Sequence, residues 1–599
     1  GTGPVVLALA TNDVDVLAAA LGGSLSYRDA DDLAVGTVGG TSGITAPQVT
    51  LHTGAALTQT EAILAGGLEL LGTGSVTLLL LNDIDTLAAS ITGSLRVRDL
   101  DDLAIGSVGA TSGLTTINQP VLLVVGTDLV LAGPVDLGSA GFTAVAGGSI
   151  LDDLNDTTVL AAAFANLTAG AAIGAAGAHA QVDTQVAHLL AVAGPGGLYV
   201  TDKDGLNLLN PLAGGDVVLG SEAGLLRVGP GVSVQSTGGD ATLQAADVLF
   251  LAPGSLVSAA GSVRLDVGTD GDGSLTDLRG TIQVGAAGSA ALWGGGGAEL
   301  VRARVDEVVL PASGLAVDGG PGVDTIRLGG TADADLFRID DVAGNICWKR
   351  EIDPAFQRIV SGYQNLELIH LVAAAGDDRV MFGVGGRGAG LRFEGGAGEG
   401  PLSNGLQVVG TAGPDNIRVG PGQRFQVADV AILQLFGLAG DDFLANNTSI
   451  SSILSGGDGN DTIYGGFARD VIFGGRGVDH LFGRDGDDFI FADHDYGLDQ
   501  AYQTPPVEDG DHSDGGLGFD TLVHFGVDFP FGGSDTVSDR IISDSAFLTM
   551  EDWLTGWLQP VSSGNVADAL FEALEKHDTQ EEQQTFKGRT PGYFLPGPC

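Results

Sequence analysis

Between Gly456 and Phe491, aspartates recur at a spacing that suits ion chemistry. The stretch reads GGDGNDTIY, GGFARDVIF, GGRGVDHLF, GRDGDDFIF, four consecutive units of nine residues. Each opens with glycine, carries an Asp in sixth place (Asp461, Asp470, Asp479, Asp488) and an aliphatic in eighth (Ile463, Ile472, Leu481, Ile490). Stacked turns would crowd these carboxylates, and like charges at short range oppose folding. A hard divalent cation with about six to eight oxygen ligands removes the conflict, using carboxylates and turn carbonyls; Ca²⁺ fits and Zn²⁺ does not. Gly457, Gly459, Gly475 and Gly477 would allow left-handed turns and let backbone carbonyls come close to the ion.

The residues after each Asp place one aliphatic between two outward side chains, which suits a very short strand. Each unit therefore reads as a turn followed by a strand, coiling into a parallel stack around a column of aliphatics. Tyr464, Phe473, Phe482 and Phe491 end the units and are expected to point away from that column.

These units resemble the glycine- and aspartate-rich nonapeptide repeats of the RTX (haemolysin-type calcium-binding) family. The resemblance implies a calcium-binding parallel β-roll in which odd turns stack on odd and even on even. Asp461 would then pair with Asp479, and Asp470 with Asp488. The second unit departs from the family pattern, with Ala468 in place of Gly and Arg469 beside Asp470. Matching turns also occur singly. GGPGVDTIR and GGLGFDTLV are complete and carry Asp324 and Asp520; GTAGPDNIR and GLAGDDFLA match in part, with Asp415 and Asp442; AAAGDDRVM keeps Gly376 and Asp378. Asp324, Asp442 and Asp520 join the candidate calcium ligands, while single turns also read as plain solenoid corners. The acidic run Glu508, Asp509, Asp511 and Asp514 reads as a solvated loop or a further calcium site.

Composition narrows the function. The chain has 599 residues and a formal charge of −49, from 75 Asp and Glu against 26 Lys and Arg. Its lysines are Lys203, Lys349, Lys576 and Lys587. Such a polyanion repels nucleic acid and anionic membranes and attracts divalent cations, so nucleic-acid binding is excluded. Hydrophobic content of 44% rules out a disordered acidic tail, and 98 glycines suit many short strands between tight turns. Cys347 and Cys599 form neither a disulfide framework nor a zinc pattern. No apolar run reaches the roughly 18 residues of a membrane helix, so no membrane insertion is expected. No signal-peptide pattern is visible, and the chain opens inside a repeat, as an excised C-terminal portion of something longer would.

The expected fold is all-β: a right-handed parallel β-helix continuing into the β-roll, with a short C-terminal helical cap. Residues 1–120 hold a duplication, Asn12 to Ala46 recurring as Asn82 to Thr116, so each copy spans several rungs. Their texture resembles the repeats of filamentous-haemagglutinin-like bacterial surface proteins. Residues 121–318 continue as irregular rungs. They include DVGTDGDGSLTD (Asp266 to Asp277), a poor EF-hand likeness that reads as a polar turn, and His179 and His188, which lack an acid at ligand spacing. Residues 319–445 carry the sporadic turns and the bulky segment FRIDDVAGNICWKREIDPAFQRIV, either an insertion packed on the solenoid or a partner contact. Residues 446–523 form the roll. In 524–599, Thr549 and Asn565 begin two short helical patterns.

Motifs for a zinc protease (His-Glu-x-x-His), a Gly-x-Ser-x-Gly hydrolase and a P-loop are missing. The expectation is a non-enzymatic, exported bacterial protein, secreted or at the cell surface, with adhesin-like structure and calcium-dependent folding. Its partners would be calcium ions and a cell-surface or matrix carbohydrate or protein. The competing expectation is the C-terminal portion of a secreted RTX enzyme, such as a polysaccharide-degrading one, with its active site upstream or on a rung face.

Overall fold

The computed structural model describes residues 3–177, 179–397, 404–492 and 510–524, with the backbone of 529–531 and 540–543. Every regular element among them is a β-strand, and nearly all strands pair in parallel. Two compact units divide the chain: Gly1–Val301 with Glu307–Pro311 and Gly320–Gly322, and a second comprising Arg302–Asp306, Ala312–Gly319 and the chain from Val323 onward. The expected helical cap lies outside the described residues.

In the first unit a coil consists of three short strands. Val217–Ser221, Leu225–Val228 and Ser233–Ser236 are followed by Ala241–Ala245, Val248–Leu251 and Leu256–Ala259, and each strand lies in register on its counterpart. Alternation sends every second side chain inward. Leu219, Leu243, Leu265 and Leu292 consequently form one column, each no more than 1% exposed. A slip of one residue would turn that column to solvent, so the hydrophobic pattern holds the register.

The duplicated segment produces duplicated structure. Asp29 and Asp99 hold the same place, accepting the N–H of Val14 and Ile84. Each copy also carries a small antiparallel hairpin, Thr37–Val38 with Thr41–Ser42 and Ser107–Val108 with Thr111–Ser112. In the second, buried Glu69 accepts hydrogen bonds from the Ala110 and Thr111 N–H groups and from the Thr111 and Thr50 hydroxyls.

The EF-hand-like segment forms a turn between strands Val263–Val267 and Leu275–Leu278. His179, without an acid at ligand spacing, meets Asp156, distant in sequence, at 2.6 Å in an exposed pair brought together by coiling.

In the second unit, the bulky segment after Asp335 folds onto the solenoid as an antiparallel excursion, Asp335–Asp340, Asn345–Arg350 and Gln357–Gln364. Trp348 is 4% exposed, which makes the segment packed structure. From Ser452 the coil shortens to 18 residues and two strands, as in Ser452–Asp458, Thr462–Tyr464, Asp470–Arg476 and His480–Phe482. This is the geometry of a β-roll.

Candidate calcium-binding corners

The short coil follows from the nine-residue unit. Half a coil is one corner plus one strand, so units alternate between the two sides of the roll. Ile463 stacks on Leu481, and Ile472 on Ile490, all 0% exposed.

The aspartates form two hydrogen-bonded ladders. On one side, the backbone N–H of Asp415 donates to Asp442 Oδ1, that of Asp442 to Asp461, that of Asp461 to Asp479 and that of Asp479 to Asp511, at 2.7–2.8 Å. On the other, Ser452 donates to Asp470, Asp470 to Asp488 and Asp488 to Asp520, at 2.8 Å. The structure thus brings Asp461 onto Asp479 and Asp470 onto Asp488. Asp324 stands apart from both ladders, its N–H donating to Glu367 Oε2.

In the units that open with glycine, the carboxylate folds back over that first glycine. A Cβ on Gly437 would overlap Asp442 Oδ2 and the Gly456 carbonyl, one on Gly456 would meet Asp461 Oδ2 and the Gly474 carbonyl, and one on Gly483 would meet Asp488 Oδ2 and the Gly515 carbonyl. The space a side chain would fill is therefore bounded by oxygen. Gly457, Gly459, Gly475 and Gly477 all have positive φ, and the carbonyls of one coil press against the glycine Cα atoms of the next. Glycine is required there both for conformation and for approach.

The electrostatics are unbalanced. Asp442, Asp461 and Asp488 are at most 3% exposed, and their Oδ2 atoms are buried without a hydrogen-bond partner among the described residues. Burial pushes the Asp442 carboxyl up to about 7, Asp461 to about 6 and Asp488 to about 8; nearby carboxylates add to this, Asp461 beside Asp442 and Asp470 beside Asp488. Asn404 shows what the geometry demands. It occupies a ladder position, accepting the Asp378 N–H, and its amide donates to the Gly395 and Asp429 carbonyls at 2.9 and 3.0 Å. An amide meets those oxygens favourably, whereas a carboxylate needs a proton or a cation between.

The donor set is oxygen alone, which fits Ca²⁺ and excludes soft-metal chemistry. Among the described residues no three His, Cys, Asp or Glu side chains converge on one point, so carbonyls would supply most of a cation's ligands. Residues 453–493 match the family model of the RTX calcium-binding nonapeptide repeat, in four copies. They are RTX repeats. No curated protein and no solved structure matches the chain.

Sequence reasoning left one ladder member undecided and missed another. Asp511, read as part of a solvated loop or a further calcium site, is a fully buried ladder member; the eighth place of its unit is Ser513, so the aliphatic signal is lost. Asn404 carries no charge to mark it. Phe473 and Phe491, expected to point away from the aliphatic column, are buried and stacked at 5.1 Å. Tyr464 and Phe482 stack at 4.6 Å and stay half-buried.

Proposed function

We propose that this chain is a calcium-dependent structural protein of the bacterial exterior, whose roll becomes stable when calcium enters its corners. The observation that carries this reading is the buried, unpartnered Oδ2 of Asp442, Asp461 and Asp488, each above a glycine and beside a carbonyl oxygen. Bound calcium would supply positive charge where these oxygens crowd. The aspartates hold the coils in register through Oδ1, the glycines leave room, and the aliphatic column excludes water. With calcium scarce inside the cell, the buried charges disfavour the roll and keep the chain open for export. At roughly millimolar extracellular calcium, binding free energy becomes folding free energy.

RTX repeats are typical of secreted bacterial proteins, and a charge of −49 supports an extracellular setting rich in divalent cations. Among the described residues no helix is long and apolar enough to cross a membrane. The duplicated rungs favour a surface or adhesin-like role toward carbohydrate or protein. A calcium titration of the full chain, followed by circular dichroism and calorimetry, tests this. Structure gained with Ca²⁺, not with Mg²⁺, and lost with chelator is expected; an unchanged roll in chelator would sink the proposal.

One cluster favours the enzymatic alternative. Lys203 Nζ lies 3.0 Å from buried Asp183 Oδ1 and 2.6 Å from Glu222 Oε1. Burial raises the Asp183 carboxyl, and it raises Asp152, which feels the Asp183 charge, to about 6. A groove of about 530 Å³ lined by Asp136, Gln185, Asp204 and Asn207 lies on the same coils. Polysaccharide cleavage by the full chain that disappears in Lys203→Met would support a catalytic role there.

A further inference from the structure

The acids at the ligand position are alike in sequence, yet six of their corners fall into two conformations; Asp378 belongs to neither, with an unpartnered Oδ2 but a second residue, Ala374, that is not left-handed. In open corners the second and fourth residues both have positive φ: Leu438 (83°) and Gly440 (111°), Gly457 (111°) and Gly459 (144°), Arg484 (77°) and Gly486 (142°). These are the corners of Asp442, Asp461 and Asp488, whose Oδ2 atoms lack a hydrogen-bond partner. In closed corners the second residue is not left-handed, and its N–H turns inward to donate to Oδ2. Thr331 does so to Asp335, Thr411 to Asp415 and Gly466 to Asp470, each at 2.5 Å.

Closed corners are completed by further donors. Asp335 accepts the Thr331 hydroxyl and Trp348 Nε1, Asp415 the Thr411 hydroxyl, and Asp470 the Ser452 N–H and hydroxyl. A carboxylate so supplied is satisfied, and an inward N–H presents partial positive charge where a cation would sit. Open corners carry the opposite mark. Leu438 and Arg484 adopt a conformation that costs a non-glycine residue about 1–2 kcal/mol, and such strain persists at sites where the surroundings require it.

We propose that calcium enters only the open corners, so that its column begins at Asp442, ahead of the matched repeats, and skips Asp470 within them. The inference rests on the calcium reading above and adds which rungs take the ion. Its consequence is directional: the closed corners at Asp335 and Asp415 are stable without calcium and present a preformed edge on which the Asp442 corner assembles. Ala468, which occupies the fourth place in the Asp470 unit, is the sequence trace of closure there, since a Cβ resists positive φ.

Asn substitutions in the full chain test the rule, because Asn keeps the Oδ1 acceptor of the ladder. Bound calcium is counted by equilibrium dialysis, and hydrogen exchange confirms that each variant folds. Asp442→Asn, Asp461→Asn and Asp488→Asn are each expected to lose one ion or to bind it at least tenfold more weakly. Asp415→Asn and Asp470→Asn should keep the wild-type count, with affinity within about twofold. Equal losses in Asp470→Asn and Asp461→Asn would overturn the rule while leaving calcium binding intact; a wild-type chain that binds no calcium would overturn the underlying reading with it. Thr411→Gly removes the capping hydroxyl and permits positive φ, so one additional ion is expected. An unchanged count there means that the second residue does not decide occupancy.

Discussion

Asp488→Asn should change sign between chelator and calcium. In chelator the Asp488 carboxyl is buried, holds the Asp470 N–H on Oδ1 and has nothing on Oδ2. Burial first, and the Asp470 charge second, push it from 3.8 to about 8. A raised carboxyl costs nothing below about pH 4, where folded and unfolded chains are both protonated. The cost grows as pH rises toward 8 and then levels off. At pH 7.5 the folded chain withholds ionisation across roughly 3.6 pH units, which at 1.36 kcal/mol per unit amounts to about 5 kcal/mol as an order of magnitude. Asn carries no charge, keeps the Oδ1 acceptor and places its amide near the Gly515 carbonyl, as Asn404 does with Asp429. The substitution is therefore expected to stabilise the roll in chelator by up to several kcal/mol and to destabilise it in about 1 mM calcium. Local opening free energies from hydrogen exchange over residues 480–492, measured in both conditions, report the two signs. Equal destabilisation in chelator and calcium would show that the carboxylate serves as a ladder acceptor only, and would refute the charge-based account.

Gly475→Ala places a Cβ at φ +117° against the Gly457 carbonyl, and should destabilise the roll by about 1–3 kcal/mol or more with or without calcium; thermal unfolding of the roll reads this. Glu69→Ala leaves the Ala110 and Thr111 N–H groups of the second hairpin without acceptor, at a cost of about 1–3 kcal/mol. Faster amide exchange at 107–112, with 37–42 unchanged, is the expected result. Burial raises Asp99 to about 6, so it opposes folding as pH climbs from about 4 through 6 and no further. Asp99→Asn should flatten that part of the pH–stability curve of the first unit.

Sequence periodicity carried the fold a long way because alternation and glycine spacing are local properties. A two-residue period fixes which face is buried, and nine-residue units cannot close a coil without glycine corners, so the parallel stack was visible before any coordinates, while the pairing of Asp461 with Asp479 followed from the resemblance to RTX repeats. The oxygen-rich chemistry was equally legible, since acids and carbonyls dominate the ligands those units offer. Asn404 escaped, and Asp511 stayed undecided between loop and site, because their membership depends on the coil above, not on neighbours in the chain.

The amino-acid order by itself determined an acidic, glycine-cornered solenoid with a calcium-binding roll. Tertiary structure decided which acids are left wanting a cation. Asp470 and Asp461 occupy the same place in the repeat, yet one receives the Gly466 N–H and the Ser452 hydroxyl while the other has a bare, buried Oδ2. That difference arises from backbone φ at the corner and from the residue stacked one coil away, and neither is a property of the nine-residue unit alone.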